Sequence, residues 1–156
     1  MRALIFELRP EALEREGLIG ALKHHTAVLR SRHGITVEEV IAGEPTMSWE
    51  SKQALYRIAQ EALHNAGRHA RATRVRVALN QDDAEIRLEV WDNGVGFDPR
   101  SEHPGHFGLN TMRERATELG GRLEIESRPE AGTKIRAIIP ASRSNSSEPI
   151  GSPKSR

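Results

Sequence analysis

Ser48-Trp-Glu-Ser-Lys-Gln-Ala-Leu-Tyr-Arg-Ile-Ala-Gln-Glu-Ala-Leu-His-Asn-Ala-Gly-Arg-His-Ala70 is the stretch on which the fold turns. Leu55, Ile58, Ala59, Ala62, Leu63 and Ala66 recur at helical spacing and form one apolar stripe, and Ser48 is a suitable cap. The spacing predicts a long amphipathic helix from about Ser48 to Ala70. Two alternating runs follow, Arg74 to Asn80 and Glu85 to Val90, joined at Gln81-Asp82-Asp83, and they read as a hairpin.

Working outward, the next segment, Asn93 to Phe107, holds Gly94, Gly96, Gly105, Pro99 and Pro104, too many breakers for a regular element. A loop of that length inside a compact domain is usually functional. Leu109 to Leu119 reads as a helix stopped by Gly120-Gly121. Leu123 to Ser127 and Lys134 to Ile139 read as strands with a turn at Pro129 to Gly132. Upstream, Leu18 to Leu29 is a helix halted at Gly34, and Ile35 to Ile41 a strand. Met1 to Arg9 looks like the last helical turns before Pro10. The tail from Ala141 to Arg156 is rich in Ser, Pro and Gly and is expected to be disordered. The element order implies an α/β two-layer sandwich, a mixed sheet covered by helices on one face.

Composition narrows the function. Lys plus Arg (23) nearly balance Asp plus Glu (22), so no long-range field gathers nucleic acid, although a local basic cluster is compatible with that balance. The absence of cysteine excludes disulfides, thiolate metal sites and thiol nucleophiles, and fits a reducing compartment. No run approaches the roughly 18 apolar residues needed to span a bilayer.

Four groups of residues carry chemistry. On the long helix, Glu61, Asn65, Arg68 and His69 stand at i, i+4, i+7 and i+8, hence on one face. A carboxylate, an amide oxygen and two basic groups in one row suit a Mg²⁺-phosphate site, because magnesium takes hard oxygen ligands and keeps waters. Asp92 ends a strand before Asn93-Gly94-Val-Gly96-Phe97; a carboxylate there can accept a hydrogen bond from an exocyclic amine. Gly105-His106-Phe107-Gly108-Leu109 opens the next helix, where backbone amides can meet phosphate. Gly132-Thr133 enters the last strand. Read singly, these are also a solvated helix face, a common turn, a tight connection and a turn glycine.

Taken in order, they resemble the N, G1, G2 and G3 boxes of the GHKL ATPase superfamily, which includes histidine kinases and gyrases. Within it, three stretches resemble the NarX/DesK-like histidine kinases with a HisKA_3 dimerisation domain. These are Leu4-Ile-Phe-Glu-Leu-Arg-Pro10 with Gly17-Leu18, then Ala54-Leu-Tyr-Arg-Ile-Ala-Gln-Glu-Ala62, then Met112-Arg-Glu-Arg-Ala116 with Gly120 to Ser127. The resemblance implies a Bergerat fold binding ATP with Mg²⁺. Asp92 would hold the adenine amine, Asn65 the metal, Arg68 and His69 the phosphate end, and Thr133 would support the adenine end. Gly94, Gly96, Gly105, His106, Gly108 and Leu109 would shape the pocket and its lid, and Glu61 would be the general base.

It further implies residues 1–16 as the end of a dimerisation helix, 17–140 as the catalytic domain and 141–156 as a tail. The phosphoacceptor histidine would lie outside this chain, on a dimerisation domain, with a response-regulator receiver as the next partner. The expected setting is cytoplasmic, without nucleic acid or direct membrane contact, monomeric for this piece and homodimeric for the parent. His24, His25 and His33 read as surface residues, His103 and His106 as lid residues, and Trp49 and Trp91 as packing residues. Two rival readings are an anti-sigma-factor serine kinase, which would not carry the Leu-Arg-Pro entry, and a non-catalytic nucleotide-binding module.

Overall fold

The apolar stripe between Leu55 and Ala66 becomes the buried face of a helix lying at the centre of the molecule. The structure, a computed structural model, describes residues 11–101 and 106–141, with the side chains of His106 and Phe107 outside that description. Its elements are α1 (Glu11–His33), β1 (Thr36–Ile41), α2 (Trp49–Arg68), β2 (Arg74–Gln81), β3 (Glu85–Asp92), α3 (His106–Glu118), β4 (Arg122–Ser127) and β5 (Thr133–Pro140). The turns expected over Met1 to Arg9, most of the tail, and Gly105 with His103 lie outside the described residues. Ala141 is described, and its N–H donates to the Ala84 carbonyl at 2.9 Å.

Helix α2 starts as its sequence dictates. Ser48 is extended (φ −65, ψ 160), and its hydroxyl accepts the Ser51 N–H at 3.1 Å, satisfying a donor that the first turn leaves free. Helix α1 is longer than its apolar spacing implied and is broken at Gly17 (φ 73, ψ −172). Beyond the break the helix restarts on the Glu44 carboxylate, which accepts the Leu18 N–H at 2.7 Å and the Ile19 N–H at 3.0 Å. Leu13, ahead of the break, is buried in the same core as Leu18 and Leu22.

The strands form one sheet in the order β1-β2-β3-β5-β4. β1 runs parallel to β2, and the other pairs are antiparallel. The hairpin turn is fixed by Asp82, whose carboxylate accepts the Ala84 and Glu85 N–H groups at 2.8 Å; these bonds hold its pKa below the ordinary value. Val75, Val77 and Leu79 of β2 and Ile86, Leu88 and Val90 of β3 alternate inward against the helices. The other face is open and polar: Arg136 bridges Glu89 at 3.0 Å and Glu124 at 2.9 Å across three strands. The helices therefore cover one face of a mixed sheet, as the element order implied.

Candidate functional site

Strand alternation that buries Ile86, Leu88 and Val90 also turns Asp92 inward, at the end of β3 beside α2. Asp92 is 6% exposed and opposes Thr133 in the β3–β5 register, so the two lie side by side on the sheet. A cavity of about 240 Å³ opens there between sheet and helices. Ala62, Asn65 and His69 line it from α2, Leu109 from α3, and Val90, Ile135, Val95 and Phe97 add apolar wall. Asp92, Thr133, Asn65 and His69 are its polar groups. An apolar slot with a few convergent polar atoms is the usual form of a small-molecule site.

No cation faces Asp92 in an ion pair among the described residues. Its carboxylate instead accepts the Gly94 N–H at 2.9 Å and is hydrogen-bonded by the Thr133 amide. Burial raises its pKa, and these amides act in the opposite direction. Such a group accepts a further hydrogen bond from a neutral N–H, which is what an aromatic amine offers.

The segment after Asp92 is clamped at both ends. Asn93 Oδ1 accepts the Thr73 and Arg74 N–H groups, each at 2.9 Å. The Val95 N–H donates to the Ala70 carbonyl at 2.7 Å, drawing the backbone against the end of α2. A Cβ on Gly94 would lie 2.1 Å from that same carbonyl, and one on Gly96 (φ +62) 2.0 Å from the Arg128 carbonyl. Only glycine fits either place. Ser127 closes the other side: its hydroxyl accepts the Phe97 N–H at 2.9 Å, contacts Thr133 Oγ1 at 2.9 Å and donates to the Gly132 carbonyl at 3.0 Å. Neither Asn93 nor Ser127 was singled out in the sequence, and a strand-end serine gives no signal of such a role.

Beyond Asn65 and His69, which line both hollows, a cleft of about 400 Å³ runs between α2 and α3 and holds Glu61 and Gly108. Gly108 makes room for the carboxylate, since a Cβ there would stand 2.3 Å from Glu61 Oε1. The structure thus brings Asn65, His69, Asp92, Gly96, Leu109 and Thr133 to one cavity, with Gly94 bonded beneath Asp92, and sets Glu61 and Gly108 in the adjoining cleft.

Arg68 is not brought there. It lines a groove between α1 and α2 with His33, Arg32 and Leu29. At about 100° per residue, the four-residue row spans about 100° of the helix, wide enough for Arg68 to fall on the neighbouring groove. Gly105 and the His106 side chain lie outside the described residues. His25, read as a surface residue, is half-buried; its Nε2 lies 2.9 Å from Tyr56 Oη, and burial, then His24, lowers its pKa. Trp91 lies on the open face of the sheet and Trp49 is 36% exposed; neither lines the cavity.

Comparison with known proteins places the fold and the family. Residues 50–143 match the family model for histidine kinase-, DNA gyrase B-, and HSP90-like ATPases. The sensor histidine kinase LiaS of Bacillus subtilis is 39% identical over 90% of this chain and 39% of its own length. The histidine-protein kinase/phosphatase DegS of Brevibacillus brevis is 37% identical over 90% of this chain and 36% of its own. The chain therefore spans well under half the length of these curated relatives. Among solved structures, the histidine kinase domain of the Erythrobacter litoralis EL346 blue-light activated kinase superposes with a TM-score of 0.65 at 22% identity, covering 80% of this chain and 61% of that one. The mycobacterial sensor kinase MprB gives 0.60 at 22% identity, covering 79% and 93%. At such identity these two show the fold alone. The chain accordingly belongs to the histidine kinase-, DNA gyrase B-, and HSP90-like ATPases as an ATP-binding domain of the sensor histidine kinase type.

Proposed function

We propose that this domain transfers the γ-phosphoryl group of ATP to a histidine imidazole on a HisKA_3-type dimerisation domain, from which it passes to a response-regulator aspartate. The observation that carries the reading is the buried Asp92 carboxylate flooring an apolar slot that shares Asn65 and His69 with a cleft holding Glu61. Asp92 and Thr133 would receive the adenine end, leaving the phosphates to emerge beside Asn65 and His69.

Among the described residues no cluster of three or more His, Asp or Glu could hold a metal by itself. The half-buried Asn65 amide oxygen, with room for phosphate oxygens and water, fits a Mg²⁺ ion bound chiefly by its nucleotide. That ion, when bound, supplies charge neutralisation along the phosphates. In the transfer, the bond from the γ-phosphorus to the β–γ bridging oxygen breaks and ADP leaves. The imidazole nitrogen bonds to phosphorus, and Glu61 takes the proton that the ring loses. The domain contributes positioning and charge, which dominate phosphoryl transfer. We assign residues 17–140 to this catalytic unit, working in a cytoplasmic setting and within a homodimeric parent; no helix among the described residues is long and apolar enough to cross a membrane.

The test is to incubate the chain with radiolabelled ATP, Mg²⁺ and the dimerisation domain. The expected product is label on that domain which is stable to base and lost in acid, as a phosphoramidate is. Acid-stable label on serine, or no label, would contradict the reading.

A further inference from the structure

The cleft beyond the nucleotide cavity contains more positive charge than the transfer uses. Along α2, Asn65, Glu61 and Arg57 follow one another at intervals of one turn, about 6 Å each. Asn65 faces the cavity, Glu61 sits in the cleft, and Arg57 lies farther out, opposite Arg115 of α3. Both arginines are half-buried and line the hollows at the junction of the two helices.

Arg57 donates to Gln60 Oε1 at 3.1 Å, and its guanidinium stands 5.8 Å from the Tyr56 ring, whose hydroxyl is in turn tied to His25. Those contacts fix the side chain without neutralising it. Neither Arg57 nor Arg115 makes an ion pair among the described residues, and Glu61 is the sole carboxylate lining the cleft. Glu118 and Glu50 line the next hollow without pairing with either arginine. Two half-buried guanidiniums against the single Glu61 carboxylate leave the cleft with an excess positive charge that an anion from outside can meet.

The nucleotide does not meet that need. Arg57 lies about 12 Å along the helix from Asn65, with the Glu61 carboxylate between. A carboxylate on an approaching helix does. If that helix presents its histidine to Glu61, a residue one turn farther along it lies about 6 Å away, matching the step from Glu61 to Arg57. Building on the kinase reading, we infer that Arg57 and Arg115 form a carboxylate-receiving pair that positions the phosphoacceptor helix on the side of Glu61 away from ATP. They are positioning residues, and the forked donor geometry of arginine suits a carboxylate better than an ammonium would.

The experiment supplies the dimerisation domain as a separate polypeptide and follows labelling from ATP at varied acceptor concentration. The enzymes are wild type, Arg57→Gln, Arg115→Gln, the double glutamine variant and the two Arg→Lys variants, each checked for melting temperature and for ATP affinity. The expected result is a KM for the acceptor raised about tenfold in each glutamine variant, with ATP affinity within about twofold of wild type. Lysine should restore part of the loss. Raising NaCl from about 50 to about 500 mM should raise the wild-type KM more than that of the double glutamine variant.

An unchanged acceptor KM would overturn the inference and leave the kinase reading standing. Weakened ATP binding would overturn it too, by making the arginines phosphate ligands. Failure of wild type itself to label the acceptor would remove the kinase reading, and this inference with it.

Discussion

Burial holds the Asp92 carboxyl above its ordinary range, while the Gly94 and Thr133 amides pull it partway back. A folded-state pKa above the unfolded one means that the native state binds more protons in the window just above 3.8. Stability is therefore lost as pH rises through that window, and at neutral pH the ionised group costs stability. Asp92→Asn is accordingly expected to melt no lower than wild type at pH 7, a check for calorimetry. Wild-type ATP affinity should also decline as pH falls towards the raised pKa, because a protonated carboxyl loses its acceptor role. At Gly108, an added methyl group displaces Glu61. Gly108→Ala should keep ATP affinity within about twofold yet slow transfer about tenfold or more, read by titration beside a labelling assay. Asp92 was legible because strand alternation and the following glycines mark it. What a side chain at Gly108 would meet was not legible, since it is the Glu61 carboxylate on another helix.

At the scale of elements, periodicity was the reliable guide. The stripe on α2, the alternation in β2 and β3, and the Gly120-Gly121 stop of α3 put boundaries within a few residues of where they lie. It failed where tertiary partners decide. Glu44 restarts α1 beyond Gly17, and Arg68 faces α1 because the sequence does not say where a neighbouring helix will pack. The β3–α3 connection shows the same limit: Ser127 joins Phe97, Gly132 and Thr133, three points on one side of the cavity, through one hydroxyl. Ser127→Ala leaves the Phe97 N–H and the Thr133 hydroxyl without that partner. It should cost about 1 kcal/mol in denaturant unfolding and speed hydrogen exchange at Phe97.

For the molecule as a whole, the two faces of the sheet divide the work: one packs on helices and carries the cavity over Asp92, the other is laced with ion pairs. Glu89 and Glu124 both raise the pKa of Arg136 through hydrogen bonds, and the same bonds tie β3, β5 and β4 together. Because the network is partly exposed, Arg136→Gln should destabilise by only about 1 kcal/mol, and by less in high salt, as urea melts at two ionic strengths would show. The fold class and the one-sided covering were readable from the order of elements and the run of buried positions. That Asn65 and His69 line both the cavity and the cleft was not, since it depends on how α3 leans on α2. The central claim is that ATP sits over Asp92 with its phosphates beside Asn65. Calorimetric titration of ATP, with and without Mg²⁺, into wild type, Asn65→Asp and Asp92→Asn tests it most directly. The account predicts Mg²⁺-dependent binding to wild type, weakened about tenfold or more in each variant; affinity unchanged in both folded variants would contradict it.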